Sequence, residues 1–148
     1  MSFHLDYDHW IPLDAEDLAE TGIGDAYESL LPELQKHARE PVPIQEVIDD
    51  DVPRYSVRAG AEEYVIYAPE LDGQAGNGWD RATFALFDII NAQLAGSEYR
   101  FFAINGGNEL GGMFLTPAQA QAARKTLSKK TDWPYLPEDK PPWYGQYH

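Results

Sequence analysis

The first third of the chain spaces its apolar residues as a helix does, with interruptions by glycine. Residues 13–38 read LDAEDLAETGIGDAYESLLPELQKHA, and the three acids near the start favour a helix N-terminus. Four side chains further along fall on one helical stripe: Tyr27, Leu30, Leu31 and Leu34. Because Gly22 and Gly24 precede this stripe and Pro32 lies inside it, the segment predicts two short helices or one bent helix.

Two β-rich runs around a small turn predict a hairpin in the middle of the chain. They cover residues 54–58 and 63–68 and flank the sequence Ala59-Gly60-Ala61. The preceding residues 41–53, PVPIQEVIDDDVP, are bracketed by prolines. They predict an exposed connector with a short strand at residues 45–48.

A helix and a second hairpin are predicted next. Residues 79–96 place five side chains near helical spacing before a terminating Gly96: Phe84, Phe87, Ile90, Asn91 and Leu94. We expect this apolar helix to pack across a sheet. The apolar runs YRFFAI and GMFLT, separated by NGGNELG, then predict two paired strands.

The last predicted helix carries the clearest local signal. Thr116 suits the N-cap, Pro117 the first helical position, and Gln119 completes a capping box. Residues 129–148 mix prolines and glycine with aromatic residues and predict an irregular tail that packs by its aromatics. Taken in order, the elements predict a single α+β domain over residues 1–148, with an antiparallel sheet of two hairpins packed by helices.

The sequence INGGNELGG at residues 104–112 raises the question of a phosphate-binding loop. Such a loop leads from a strand directly into a helix, whose N–H groups face the anion. Here the glycines lead into GMFLT, a predicted strand. The pattern favours a hairpin turn with Gly106, Gly107 or Asn108 at positive φ; an exposed recognition loop over Asn105–Gly112 is the alternative.

Charge changes the picture because it is unevenly distributed. The chain has 25 acidic and 11 basic residues and a formal net charge of −14. Residues 1–51 hold 14 of the acids and two of the bases, Lys36 and Arg39, which gives this third a formal charge of −12. A field of this sign repels nucleic acid and anionic lipid and favours a cationic partner.

Composition excludes several classes of chemistry. The chain lacks cysteine, so disulfides, thiolate zinc sites and thiol nucleophiles are excluded. No serine lies in a G-x-S-x-G context, which disfavours a nucleophilic triad. The chain begins with neither a basic nor an apolar leader and contains no apolar run long enough to span a membrane, so we expect a cytoplasmic protein without cofactor.

The N-terminal sequence HLDYDHW offers a possible metal-binding set. In an extended strand, His4, Asp6 and Asp8 would share one face, with His9 beside them, and imidazole and carboxylate are ordinary ligands of divalent ions. No second ligand cluster with recognisable spacing follows. The alternatives are a small metal-dependent enzyme and an acidic, aromatic N-terminal arm, and the pattern favours the arm.

One stretch resembles a known group of proteins. Residues 99–127, YRFFAINGGNELGGMFLTPAQAQAARKTL, followed by KTDWPYLPED, are similar to the C-terminal half of small acidic bacterial immunity proteins of polymorphic-toxin and type VI secretion loci. The resemblance implies a non-catalytic protein that binds and neutralises a cognate, basic toxin. A non-catalytic binding or adaptor domain is the alternative.

For a basic partner, the expected contacts are carboxylates in the acidic runs. These are Asp14, Glu16, Asp17, Asp49, Asp50, Asp51, Glu62 and Glu63. Tyr55 or Tyr64 would supply an aromatic anchor, because binding energy concentrates in a few such positions.

Overall fold

Helices and antiparallel strands alternate along the chain. The computed structural model describes residues 5–38, 40–49, 51, 54–69, 78–105, 107–129 and 132–137. Its strands are β1 (Ile11–Pro12), β2 (Ile44–Asp49), β3 (Arg54–Ala59), β4 (Glu62–Tyr67), β5 (Arg100–Ile104) and β6 (Gly111–Leu115). Its helices are α1 (Ala15–Glu20), α2 (Ile23–Leu34), α3 (Gly78–Gln93) and α4 (Pro117–Thr126), and short 3₁₀ turns cover Tyr7–His9 and Gly107–Glu109.

The strands form two three-stranded antiparallel sheets. The first has the order β1-β6-β5 and the second the order β2-β3-β4. The predicted α+β class and both predicted hairpins are confirmed. Each hairpin lies in a sheet of its own. Strand β1 adds a third strand to the hairpin of β5 and β6, and β2 adds a third strand to the hairpin of β3 and β4.

Helix α3 connects the two sheets through the core. It packs against β4 of the second sheet, β5 of the first and helix α1. Asn91, on its otherwise apolar stripe, donates to the carbonyl of Phe101 (3.0 Å) and accepts from the N–H of the same residue (2.7 Å). Leu86, Ile90 and Leu94 are fully buried. The helix ends at Gln93, three residues before the predicted stop at Gly96, and Leu94 and Ser97 continue in hydrogen-bonded turns.

The N-terminal helical segment forms two short helices, α1 and α2, which is one of the two predicted alternatives. Gly22, with φ of 123°, separates α1 from α2, and Pro32 lies in the last turn of α2, two residues before its end. At the other end of the chain, Thr116 and Gln119 exchange both hydrogen bonds of the predicted capping box, at 3.1 and 3.0 Å. None of the described helices has the length and apolar character needed to cross a membrane.

The described part of the C-terminal tail extends the first sheet. Tyr135 is 3% exposed and pairs with Ala103 of β5 through two backbone hydrogen bonds of 2.7 and 2.9 Å. Trp133 donates its indole N–H to the Leu127 carbonyl at 3.0 Å. Residues 138–148 of the predicted tail lie outside the described residues.

Candidate functional site

The glycine-rich loop lies against the start of α1. Asn108 donates to Asp14 Oδ1 at 3.0 Å and to Glu16 Oε1 at 3.1 Å. The Leu110 carbonyl accepts the N–H groups of Leu13 and Asp14. Asp14 is also the N-cap of α1, since its side chain accepts from the N–H of Glu16 at 3.0 Å. Two of the predicted contact carboxylates therefore support the fold locally.

The conformation of this loop differs from the prediction. Asn105 has a positive φ of 63°, whereas Asn108 lies in the 3₁₀ turn Gly107–Glu109 and has no positive φ. Gly106 lies outside the described residues. Tyr135 donates its hydroxyl to the Asn105 carbonyl at 2.8 Å and so holds the strained residue in place. Asparagine tolerates the left-handed region better than other non-glycine residues, which explains its position here.

An open groove of about 320 Å³ runs between β1, α1 and α2. Its apolar lining comes from Ile11, Pro12, Leu13, Leu18 and Ala26, and its polar lining includes Asp17, Thr21, Asp25 and Ser29. Asp17 and Asp25 are exposed. Neither is in an ion pair within the part of the chain that the structure describes. The groove therefore combines an apolar floor with two exposed carboxylates that no cation of the described residues pairs.

A second polar cluster adjoins the groove at the start of α2. Tyr55 donates its hydroxyl to Glu46, and the same oxygen accepts the N–H of Ile23 at 2.8 Å. The Glu46 carboxylate lies so close to Gly22 and Gly24 that a Cβ on either glycine would displace it. Burial, and secondly the bond to Glu46, raise the pKa of Tyr55 well above its usual range. The phenol is therefore a neutral donor at physiological pH.

Sequence reasoning missed Glu46 and this role of the two glycines. The sequence predicts a helix interruption at Gly22 and Gly24; the prediction is confirmed at Gly22 and wrong at Gly24, which lies inside α2. The signal in the sequence is an acidic residue in a predicted strand, Glu46, together with two glycines near the start of a predicted helix. A carboxylate near a helix N-terminus is favoured by the helix dipole, so such a pairing has a physical basis.

The remaining predicted carboxylates occupy opposite ends of the second sheet. Asp49 and Asp51 lie where β2 ends, and Asp49 accepts the N–H of Asp51 at 3.0 Å. Glu62 and Glu63 begin β4, beside the other end of β3. Asp50 lies outside the described residues. The seven predicted residues that the structure describes are thus distributed over α1 with its N-cap and both ends of a sheet.

Glu63 is already paired with cations of its own chain. Its carboxylate lies 3.2 Å from Arg58 Nε and 3.8 Å from Arg54 Nη2 on the neighbouring strand. The hairpin register produces this cluster, because Glu63 lies directly opposite Arg58. Glu62 remains exposed on the other face of the strand.

The two predicted aromatic anchors point into the molecule. Tyr55 is 2% exposed, and Tyr64 donates its hydroxyl to Asp88 Oδ2 of α3 at 2.5 Å. Burial, followed by the bond to Asp88, raises the pKa of Tyr64. The apolar side chains at the surface of this sheet are instead Ile48, 61% exposed, and Tyr67, 37% exposed.

The N-terminal residues considered for metal binding are only partly described. His4 lies outside the described residues. His9 Nε2 lies 3.4 Å from Asp6 Oδ2, and Asp6 Oδ1 accepts the N–H of Asp8 at 3.1 Å. Among the described residues, no group of three or more histidine, aspartate or glutamate side chains could hold a metal ion.

Comparison with known proteins adds no relative: no family model, curated protein or solved structure matches this chain. The candidate site therefore rests on the geometry and charge of the chain itself.

Proposed function

We propose that this chain is an immunity-type inhibitor that binds and neutralises a basic bacterial toxin in the cytoplasm. The observation that carries the proposal is the groove between α1 and α2, where Asp17 and Asp25 flank an apolar floor without an ion pair to any described residue. The resemblance of residues 99–127 to immunity proteins supports the same function.

The groove suits a lysine or arginine side chain of such a partner. These side chains bury an apolar stem while their charged end stays near polar groups. The stem would lie on Leu13, Leu18 and Ala26, and the cation would face the carboxylates of Asp17 and Asp25. A charge-assisted hydrogen bond to a carboxylate is about twice as strong as a neutral one.

The charge of the whole chain would accelerate the encounter. With a formal net charge of −14, the chain attracts a basic protein over distances set by ionic screening. Electrostatic steering raises association rates by factors of roughly 10–10³. An inhibitor benefits directly from this, since it must reach the toxin before the toxin reaches its substrate.

Co-expression tests the proposal in cells. The probe is the protein encoded by the neighbouring open reading frame, produced from an inducible promoter in a bacterial host with and without this chain. We expect the neighbour to stop growth alone and growth to return when the chain is present. A neighbour that binds the chain without harming growth would instead identify an adaptor domain.

Association kinetics with that purified protein test the groove. We expect Asp17→Asn with Asp25→Asn to lower the association rate constant by about threefold to tenfold. The matched control is Glu20→Gln with Glu28→Gln, which removes the same charge from the same two helices outside the groove. Equal effects of both double variants would reject the groove as the contact site.

A further inference from the structure

We infer that the outer edge of β2 is a docking site for an extended basic segment of a protein partner, which adds a fourth strand to the second sheet. The inference rests on the proposed function for the partner's identity, and it adds the mode of binding. In this mode, main-chain hydrogen bonds supply affinity and alternate side chains supply specificity.

The first observation is that this edge is open. β2 is an outer strand and pairs with β3 over six residue pairs, from Ile44↔Ala59 to Asp49↔Arg54. Among the described residues, no backbone group outside β3 is hydrogen-bonded to the backbone of residues 44–48. Within the described part of the chain, the side of β2 that faces away from β3 therefore presents N–H and C=O groups of residues 44–48 without a backbone partner, which is the template that strand addition requires.

The second observation is an apolar side chain where natural edge strands place a charge. Ile48 is 61% exposed. It lies opposite Tyr55, which in turn lies opposite Tyr67, and the two tyrosine rings are 5.8 Å apart. Cross-strand neighbours on one face pack against each other, so an added strand would cover Ile48 and continue this row.

The charge of the edge selects the occupant. Glu46, Asp49 and Asp51 lie along or just after β2. A second copy of this chain would bring the same carboxylates to the same seam, with a formal net charge of −14 on each copy. A strand rich in lysine or arginine is complementary to this net charge and to the exposed acids near the edge.

The edge is also continuous with the groove of the proposed function. The side chain of Glu46 extends from β2 to Gly22, and Gly22 lines the groove together with Asp25. A partner segment paired with β2 would therefore lie beside the α1–α2 groove. One partner could therefore occupy both surfaces at once.

Peptide binding followed by NMR tests the inference on the full chain. The probe is an acetylated and amidated octapeptide of alternating lysine and valine, and its control replaces every lysine with glutamate. We expect the lysine peptide to shift the amide resonances of residues 44–49 and to slow their hydrogen exchange. We expect the glutamate peptide to leave them unchanged. A third peptide with N-methylated valines should bind more weakly, since it lacks half of the backbone donors.

A variant distinguishes strand addition from unspecific attraction. Ile48→Ser should weaken binding of the lysine peptide by about threefold to fivefold, because an apolar cross-strand contact is lost without a change in charge. The control is Leu136→Ser, the same kind of change at a residue that is 43% exposed in the C-terminal segment. Thermal melts of both variants check that the fold is retained. Unchanged amides at residues 44–49, or equal weakening by both variants, would overturn the inference.

The outcomes separate this inference from the proposed function. If the peptide protects β2 but the chain fails to rescue growth, the edge binds basic strands and the inhibitor function is wrong. If growth is rescued through Asp17 and Asp25 while residues 44–49 respond to no peptide, the function stands and strand addition is wrong.

Discussion

Tyr55 donates its phenolic hydrogen to Glu46 across two neighbouring strands, and the same oxygen accepts the N–H of Ile23. Ile23 is the first residue of α2, so one side chain ties two strands to the beginning of a helix. Because Tyr55 and Ile23 are 2% and 0% exposed, water cannot replace these bonds when they are lost. The hydroxyl is therefore a structural element and does not lie at the partner surface.

Tyr55→Phe should lower the free energy of unfolding by about 1–3 kcal/mol, since the buried N–H of Ile23 loses its acceptor. Denaturant unfolding measures the change. Tyr67→Phe is the matched control: its hydroxyl has no hydrogen-bond partner among the described residues, and we expect a change below about 0.5 kcal/mol. Equal stabilities of the two variants would show that the Tyr55 bonds contribute nothing.

The sequence predicted those elements that local chemistry determines. The cap at Thr116 and the hairpin around Gly60 were predicted because their signals lie within a few residues. The bond between Tyr55 and Glu46 joins residues nine positions apart across a strand pairing, and its contact with Ile23 spans 32 positions. Such contacts depend on how the helices pack on the sheet, which local spacing does not specify.

The candidate site was harder to predict for an electrostatic reason. A run of acids shows where charge is placed but not which cations of the chain face it. Glu63 is paired with Arg58 because of the hairpin register, whereas Asp17 faces an open groove. The predicted three-residue turn Ala59-Gly60-Ala61 does not give this register, because Ala59 pairs with Glu62 and so places Glu63 opposite Arg58. The groove required the packing of α1 against α2.

Substitution of Gly112 tests whether the glycine-rich segment requires glycine where it packs against Phe101. A side chain at Gly112 would overlap the ring of Phe101, which is fully buried and lies between Phe87 and Phe114 at centroid distances of 4.6 and 4.7 Å. Gly112→Ala should therefore reduce the free energy of unfolding by about 1–3 kcal/mol, the usual cost of overfilling a packed core. Thermal or denaturant unfolding measures it.

Gly96→Ala is the control for this change. A methyl group at Gly96 would meet open space, and its backbone has no positive φ, so we expect a neutral or slightly stabilising effect. If both alanine variants unfold alike, the close approach of Gly112 to Phe101 is not what requires glycine at this position.

Substitutions of Asp14 can separate its role as the N-cap of α1 from the effect of its charge. It has a positive φ of 63° and caps α1, so Asp14→Ala loses the cap while keeping an unfavourable backbone. We expect Asp14→Ala to cost about 1–2 kcal/mol and Asp14→Gly less, because glycine accepts this φ. Asp14→Asn keeps an oxygen acceptor and should remain near the wild type in unfolding experiments. A stable Asp14→Ala variant would contradict the capping role.

The burial of His37 predicts the direction in which the stability of the fold changes with pH. Its ring packs at a tilt of 32° against the rings of Tyr99 and Phe114, at centroid distances of 4.3 and 5.1 Å. Burial lowers the pKa of His37 below 6.5; the charge of Glu33 opposes this shift and that of Lys36 adds to it. The unfolded chain therefore binds a proton at a higher pH than the folded chain does. Stability from this residue is present above pH 6.5 and is lost as the pH falls through the lower, folded value. We expect urea unfolding at a series of pH values to show this decline and His37→Gln to flatten it. An equally steep decline in His37→Gln would assign the effect to other groups.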